Sequence, residues 1–384
     1  MLQVANRLQG INEYYFSKKL REVEELNQQG KNIVSLAIGS PDLPPHPDAI
    51  KELQETSANP ANHGYQGYKG IPELRKAMST WYKTWYDVAV DPDKEVLPLM
   101  GSKEGIMHIC MTYLNPGDKV LVPNPGYPTY SSNVTLTGAT LIPYALKEDN
   151  DWFPDFDAIE TEGLDGVKIM FVNYPQMPTG QPASKEIFEK LVAFAKKHQI
   201  LLVHDNPYSF ILNDHPISIL SVPGAMDVAI ELNSLSKSHN MAGWRVGMLL
   251  GNAERINEIL RFKSNMDSGM FKPLQLAAVK ALSLGKDWHD SVNEIYSKRR
   301  SKVYELLDTL GCQYSKYQVG MFMWAKIPSR YKDCYEMADD ILYNKNVFIT
   351  PGGIFGSEGE KYIRVSLCGN MERFEEAIKR VKAN

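Results

Sequence analysis

A chain of 384 residues that is 43% hydrophobic has the apolar material for one large core, or for a large and a smaller domain. Its 42 Lys+Arg against 46 Asp+Glu leave a net charge of -4, so no field of either sign favours a nucleic acid or an anionic membrane as partner. The first thirty residues carry charges throughout, and no window reaches the roughly 18 apolar residues of a membrane span, which predicts a soluble cytoplasmic protein.

Taken in chain order, a charged N-terminal helix and the extended stretch "IVSLAIGSPDLPP" come first. Apolar runs of β type then alternate with segments of helical period: "EVLPLMG" before "SKEGIMHICMTYL", "KVLVP", "TLIPY", "VKIMFVNYP" before "SKEIFEKLVAFAKKH", "ILLVHD", "VAIELNS", and "RVGMLLG" before "NAERINEILRFK". Continuous apolar strands separated by helices predict an α/β domain over residues 46–280, its largely parallel sheet covered on both faces. From 281 the pattern changes to a long polar helix, then "MFMWAKI" and "YIRVSL" flanking the helix "DCYEMADDILYNK". Such a layout predicts a smaller α+β domain over 281–384 with antiparallel strands, to which residues 1–45 are assigned. Cys110, Cys312, Cys334 and Cys368 stand singly, and the eight histidines show no H-x-x-x-H spacing, so the cysteines read as reduced and no metal centre is expected.

Ligands of parallel sheets bind beyond the carboxyl ends of the strands, and the chemistry-bearing residues fall there. "MGSKEG" places Ser102 and Lys103 at a helix start, where free N–H groups attract an anion, although Ser102 serves equally well as a helix cap. "VPNPGYP" presents Tyr127 and "FVNYPQMPTG" presents Asn173, Tyr174 and Gln176, each open to a plain turn role. In "LLVHDNPYSF", Asp205 ends an apolar strand, where a bare carboxylate is costly unless something cationic meets it, or else it is a helix-cap or turn aspartate, and Tyr208 follows. "NSLSKSHNMAGWRVG" sets Lys237 between two apolar runs, and a lysine amine attacks carbonyls once desolvation beside other cations has neutralised it. Arg245 offers that charge, or a fork for phosphate, while Arg364 in "YIRVSL" calls for a carboxylate or a salt bridge at the strand end. A carboxylate, a neutralisable lysine, phosphate donors, a stacking aromatic and a carboxylate-binding arginine are the parts that hold pyridoxal 5'-phosphate and an amino acid.

On these motifs the chain resembles the class I/II aminotransferases of pyridoxal-phosphate fold type I, nearly end to end. "GSKEGI", "PGYPTY" and "GYKGIPELR" are most similar to the branch of LL-diaminopimelate and alanine aminotransferases. The resemblance implies a mostly parallel seven-stranded sheet sandwiched by helices, a homodimer, and ping-pong transamination between an L-amino acid and a 2-oxo acid. It implies that Lys237 forms the imine with the cofactor, that Asp205 pairs with the ring nitrogen, and that Tyr208 meets the phenolic oxygen, with Asn173 also in the cofactor site. Tyr127 is implied to stack on the ring, and Ser102, Lys103, Ser234, Ser236 and Arg245 to bind the phosphate. Tyr65 in "GYQGYKG" is implied to reach the phosphate of the partner subunit, while Gly39 and Arg364 grip the substrate carboxylate.

One position departs from the pattern. Where the family carries asparagine before Pro-Thr-Gly, this chain has Met177, and a thioether cannot donate to the phenolic oxygen. The expected consequence is a raised imine pKa, with Tyr208 holding the oxygen alone unless Gln176 or Asn173 reaches in. Two other readings are set against transamination: a β-elimination or other amino-acid reaction on the same scaffold, and a non-catalytic regulator, for which no basic helix-turn-helix segment is present.

Overall fold

The structure is a computed structural model that describes residues 2–9, 11 and 15–383. A short strand, β1 (Val34–Ser35), lies near the N-terminus. Seven strands follow: β2 (Val96–Leu99), β3 (Lys119–Asn124), β4 (Thr140–Ala145), β5 (Val167–Asn173), β6 (Leu201–Asp205), β7 (Ala229–Ser234) and β8 (Gly247–Leu250). They form one sheet in the order β2-β8-β7-β6-β5-β3-β4. Neighbours from β7 through β4 run parallel, whereas β8 is antiparallel to both β7 and β2. The reversal is local in origin: residues 235–246 between β7 and β8 hold only single helical turns, not a crossover helix, so the chain returns beside β7 in the opposite sense.

Side chains alternate across a strand, and both faces of this sheet are apolar. Ile169 and Phe171 of β5 join one buried cluster with Val203, Ile230 and Leu249, while Met170 and Val172 join the other with Leu202, Met248 and Leu250. Phe171 is fully buried and stacks on Tyr130 with ring centroids 4.8 Å apart; its truncation to alanine would cost about 3–5 kcal/mol. Covering helices follow their own local rules. In Lys185–His198 the Ser184 side chain caps the Ile187 N–H, three basic residues sit in the last turn, and Ile187, Phe188, Leu191 and Ala195 supply the buried stripe.

A second unit contains β9 (Phe322–Lys326), β10 (Val347–Phe348), β11 (Thr350–Pro351) and β12 (Tyr362–Ser366). The antiparallel order β11-β12-β9 packs beneath the 25-residue helix Lys286–Leu310, and a separate apolar cluster fills the space. β1 pairs with β10 in parallel, which attaches the N-terminal segment to this unit. The loop after β1 is held by Arg299, whose two terminal nitrogens donate to the Asp42 carboxylate at 2.7 and 2.8 Å. Arg299 is buried and also reaches the Leu367 carbonyl, so this fork fixes where Gly39 lies.

Candidate active site

A cavity of about 770 Å³ opens at the carboxyl end of the large sheet and is closed on its far side by the second unit. It brings together twelve of the thirteen residues that the resemblance assigns to the site, and Met177 with them; Tyr65 is 94% exposed outside it, and Gln176 does not line it. Their grouping follows from the strands that carry them.

Lys237 lies one turn beyond β7, in a helical turn, Leu235–Ser238, started by the Ser234 hydroxyl accepting from the Ser236 N–H. Its ammonium donates to the Gly39 carbonyl at 2.6 Å. Burial brings its pKa down to about 8, helped by the nearby Arg364 and Arg245 charges against an opposing effect of Cys368. An amine in this range is a nucleophile near neutral pH.

Asp205 ends β6 beside Asn173 of β5. One carboxylate oxygen accepts from the Tyr130 hydroxyl at 2.8 Å, and the other is buried without a partner. Burial pushes the carboxyl up to about 6, against the Tyr130 hydrogen bond. A ring N–H delivered to the free oxygen would satisfy it. Asn173 lines the cavity with both ends of its amide engaged: it donates to the Asp205 carbonyl at 2.6 Å and accepts from the Met177 N–H at 2.8 Å. Gln176 is likewise engaged, with the Pro125 carbonyl and the Thr179 N–H. Each amide thus spends one of its two N–H donors on a backbone carbonyl. Tyr208, whose hydroxyl pKa burial drives far up, sits edge-on to Phe322, and Tyr127 stands perpendicular to Tyr130 in the same wall.

An anion cradle lies at the start of helix Ser102–Tyr113, which is capped by Gly101 and leaves Ser102 as its first residue. Gly101 has a φ of +87°, and a Cβ there would come within 2.1 Å of the Arg245 guanidinium. A Cβ on Gly247 would meet the Ser102 nitrogen at 2.6 Å. Both glycines therefore let a guanidinium and a helix N-terminus converge, with Ser236 accepting from Arg245 at 3.4 Å and from the Ser234 hydroxyl at 2.8 Å. Lys103 is the next residue of the same helix turn.

Across the cavity Arg364 is enclosed by aromatic rings, its guanidinium 3.9 Å from the Phe322 centroid and 4.7 Å from that of Phe355. It donates to the Ala37 carbonyl at 3.0 Å and touches the Met177 sulfur at 3.4 Å, while its Nε has no partner. No carboxylate pairs with it among the described residues, and burial lowers its pKa to about 10. The strand-end salt bridge left open by the sequence is thus absent there, and the guanidinium is ready for an incoming carboxylate. Gly39 sits opposite, where a Cβ would press within 2.4 Å of the Phe322 ring.

Several functional residues escaped sequence reasoning. Tyr130 lies three residues past Tyr127 in "PGYPTY", and only the fold turns it onto Asp205. Tyr15, Phe16 and Leu20 enter the cavity wall from the N-terminal helix Tyr15–Gln28, a placement no local pattern specifies. His204 and Glu231 left a signal, since both interrupt apolar strands. On the reverse side of β6 from Asp205, Glu231 accepts from His204 Nδ1 at 2.7 Å, the Tyr82 hydroxyl at 2.7 Å, and Ser218 and Ile219 at 3.0 Å. All this is fully buried and fixes the strand that bears Asp205.

A site that pairs a neutralisable lysine with an anion cradle and a carboxylate-seeking arginine fits amino-group transfer, and comparison with known proteins agrees. Residues 31–381 match the aminotransferase class I and II family, and the chain belongs to it. It is an aminotransferase, moving an amino group between an L-amino acid and a 2-oxo acid. It is 40% identical over 379 residues to the LL-diaminopimelate aminotransferase of Dehalococcoides mccartyi, covering 98% of this chain and 97% of that one. Over 384 residues it is 38% identical to the enzyme of that name from Aquifex aeolicus, covering 100% and 99%. The apo-BacF structure from Bacillus subtilis superposes with a TM-score of 0.95 at 37% identity, covering 99% of this chain and 98% of that one. Neither the elimination reading nor the regulator reading draws support from these relatives.

Proposed function

We propose that this aminotransferase works with pyridoxal 5'-phosphate held by Lys237, Asp205 and the cradle at Ser102. The observation that carries the reading is the unpartnered, fully buried oxygen of Asp205, in one cavity with an amine whose pKa is lowered to about 8. The residues fit that group. Asp205 offers its free oxygen to a pyridinium N–H, Tyr208 its hydroxyl to the phenolic oxygen, and Tyr127 a ring face. Ser102, Lys103, Ser234, Ser236 and Arg245 supply phosphate donors, and Asn173 anchors the strand end that presents Asp205. When bound, the cofactor supplies an aldehyde that condenses with amines and a ring that takes up the electron pair left as the substrate Cα–H bond breaks.

The chain does the rest. Arg364 and the Gly39 backbone hold the amino acid's carboxylate, so its Cα–H bond is oriented by a bidentate contact. Asp205 keeps a proton on the ring nitrogen. Lys237 Nζ would hold the cofactor's aldehyde carbon and, as the free amine, would carry the proton from the substrate Cα to that carbon. The rings of Phe322 and Phe355 keep water from that proton. A 2-oxo acid then drives the same residues through the reverse sequence.

In this reading the chain is a cytoplasmic homodimer in which Tyr65 of the partner subunit completes the phosphate site. Its exposure, beside the half-exposed Tyr68 and the exposed Met266 and Phe271, suits a surface that a second copy covers. Four buried, unpaired cysteines suit a reducing compartment, and no helix among the described residues is long and apolar enough to cross a membrane. Residues 46–280 form the cofactor domain, with 1–45 and 281–384 as its smaller companion. Borohydride reduction of the holoenzyme followed by peptide mass mapping tests the core of this: the pyridoxyl adduct is expected on Lys237, and an adduct on any other lysine overturns it.

A further inference from the structure

Tyr65, 94% exposed, stands between Gly64 and Gly67, and within the chain a Cβ on either glycine would meet nothing within 4 Å. Packing at those positions therefore does not seat the loop. Contacts to its backbone do, and they come from the end of helix Ala253–Lys263 and the segment after it. Lys263, the last residue of that helix, is buried, and its ammonium donates to the Tyr68 carbonyl at 3.2 Å and to the Asp267 carboxylate at 2.7 Å. The same carboxylate oxygen accepts from the Gly269 N–H at 2.9 Å. Gly269, at a φ of +84°, lies so close to the loop that a Cβ there would come within 2.7 Å of the Gln66 and Gly67 carbonyls. Gln275 adds a further hold, accepting from the Ile71 N–H at 2.8 Å and donating to the Met270 carbonyl at 2.7 Å.

A buried ion pair is costly to desolvate and adds little stability over apolar side chains of the same volume. What this one supplies is position: an ammonium fixed by Asp267 aims another N–H at the carbonyl of Tyr68, in the loop that carries Tyr65. From this we infer that Lys263 and Asp267 are positioning residues for the cofactor site of the partner subunit, because they set where Tyr65 enters it. The inference rests on the dimer reading above and deepens it, assigning the pair an effect across the subunit boundary. A purely local role predicts the opposite. Asp267 stands within 4.8 Å of Glu104 and His108 on the helix that opens at Ser102, so a local disturbance of the pair would be felt in the chain's own phosphate cradle.

Hybrid dimers separate the two. One subunit carries Lys237→Ala, so only the other can link the cofactor to that lysine, and on the dimer reading this working site takes its Tyr65 from the altered subunit. Cofactor-free hybrids, purified on two different tags, are titrated with pyridoxal 5'-phosphate and followed by the absorbance of the lysine-linked form. Tyr65→Phe on the altered subunit should raise the half-saturating concentration about tenfold, the loss of one hydrogen bond to a charged group. No change there overturns the dimer reading, and this inference with it. Lys263→Met on the altered subunit should raise the concentration about fivefold, and at least about threefold more than the same substitution on the working subunit. With the Tyr65 effect present, an equal or larger loss from the working subunit, or no loss from either, overturns the inference and leaves the dimer reading standing. Combining Tyr65→Phe with Lys263→Met on the altered subunit should cost less than the product of the two effects, since a displaced loop has already lost its tyrosine; the full product is a refutation. Where Lys263→Met yields no folded dimer, Asp267→Asn carries the same comparison, with the same order of effects expected and the same outcomes against it.

Discussion

The two sides of the cavity are built on opposite principles. The sheet side is a set of polar groups fixed by strand and helix ends: Asp205 on β6, Lys237 after β7, and Ser102 opening a helix against Arg245. The opposite side is mostly aromatic and aliphatic, with Ser17 and Ser40 among its lining residues and one charge, Arg364, a guanidinium wrapped by Phe16, Phe322 and Phe355. Charges that must face a constant partner are placed where the backbone leaves them no freedom. The opposite side is made by ring packing instead, around one guanidinium that has no carboxylate partner among the described residues.

Substitutions on each side can break this contrast. The largest effect belongs to Lys237→Ala, which should reduce turnover by at least about a thousandfold while cofactor still binds, as read by absorbance titration; activity within about tenfold of the parent refutes the assignment. Arg364→Met follows. It should lower kcat/KM by about two to three orders of magnitude, chiefly through KM, yet leave thermal stability equal or higher, because it removes a buried charge that has no ionic partner. A fall in both activity and stability would place Arg364 in the framework instead.

Asp205→Asn should separate function from stability on the sheet side. Its carboxyl pKa is raised from 3.8 to about 6 in the folded chain, so folding binds a proton there. Stability is therefore unaffected below pH 3.8, falls as pH rises toward 6, and carries the full cost above it. At pH 8 the cofactor-free Asn variant should be more stable than the parent by up to about 3 kcal/mol, and at pH 3.5 no different, while holoenzyme turnover drops about a hundredfold. Denaturant midpoints at the two pH values check the sign. The smallest effect is expected where the two sides meet: Met177→Asn should lower the pH midpoint of the holoenzyme absorbance transition by about one unit. An unmoved midpoint would mean that the methionine is no departure in function.

Legibility in the sequence followed the physics of each part. All seven strands of the large sheet were visible as apolar runs, and the inner ones, buried on both faces, are continuously apolar, as "VKIMFVN" and "ILLVHD" are. The reversal of β8 was not, since direction depends on how residues 235–246 fold back, and an apolar run reads the same either way. Charged residues at strand ends stood out against apolar surroundings, which made Asp205 and Lys237 legible. The aromatic wall did not, because Tyr15 and Ile354 look like ordinary amphipathic residues until the N-terminal helix and the second unit come together over the sheet. Asn173 shows a finer limit. Its position at a strand end was readable, but the two bonds that engage its amide were not.

The bond from Lys237 to the Gly39 carbonyl makes the reactive amine a tether as well. It joins the segment after β7 to the loop that Arg299 and Asp42 fasten to the long helix of the second unit. The ammonium has three N–H donors and uses one on this carbonyl, so the tether lasts as long as the nitrogen keeps a proton to donate and is lost when chemistry removes the last of them. The protonation of Lys237 and the hold of this loop on the strand end are thus linked equilibria, each bearing on the other by an equal free energy.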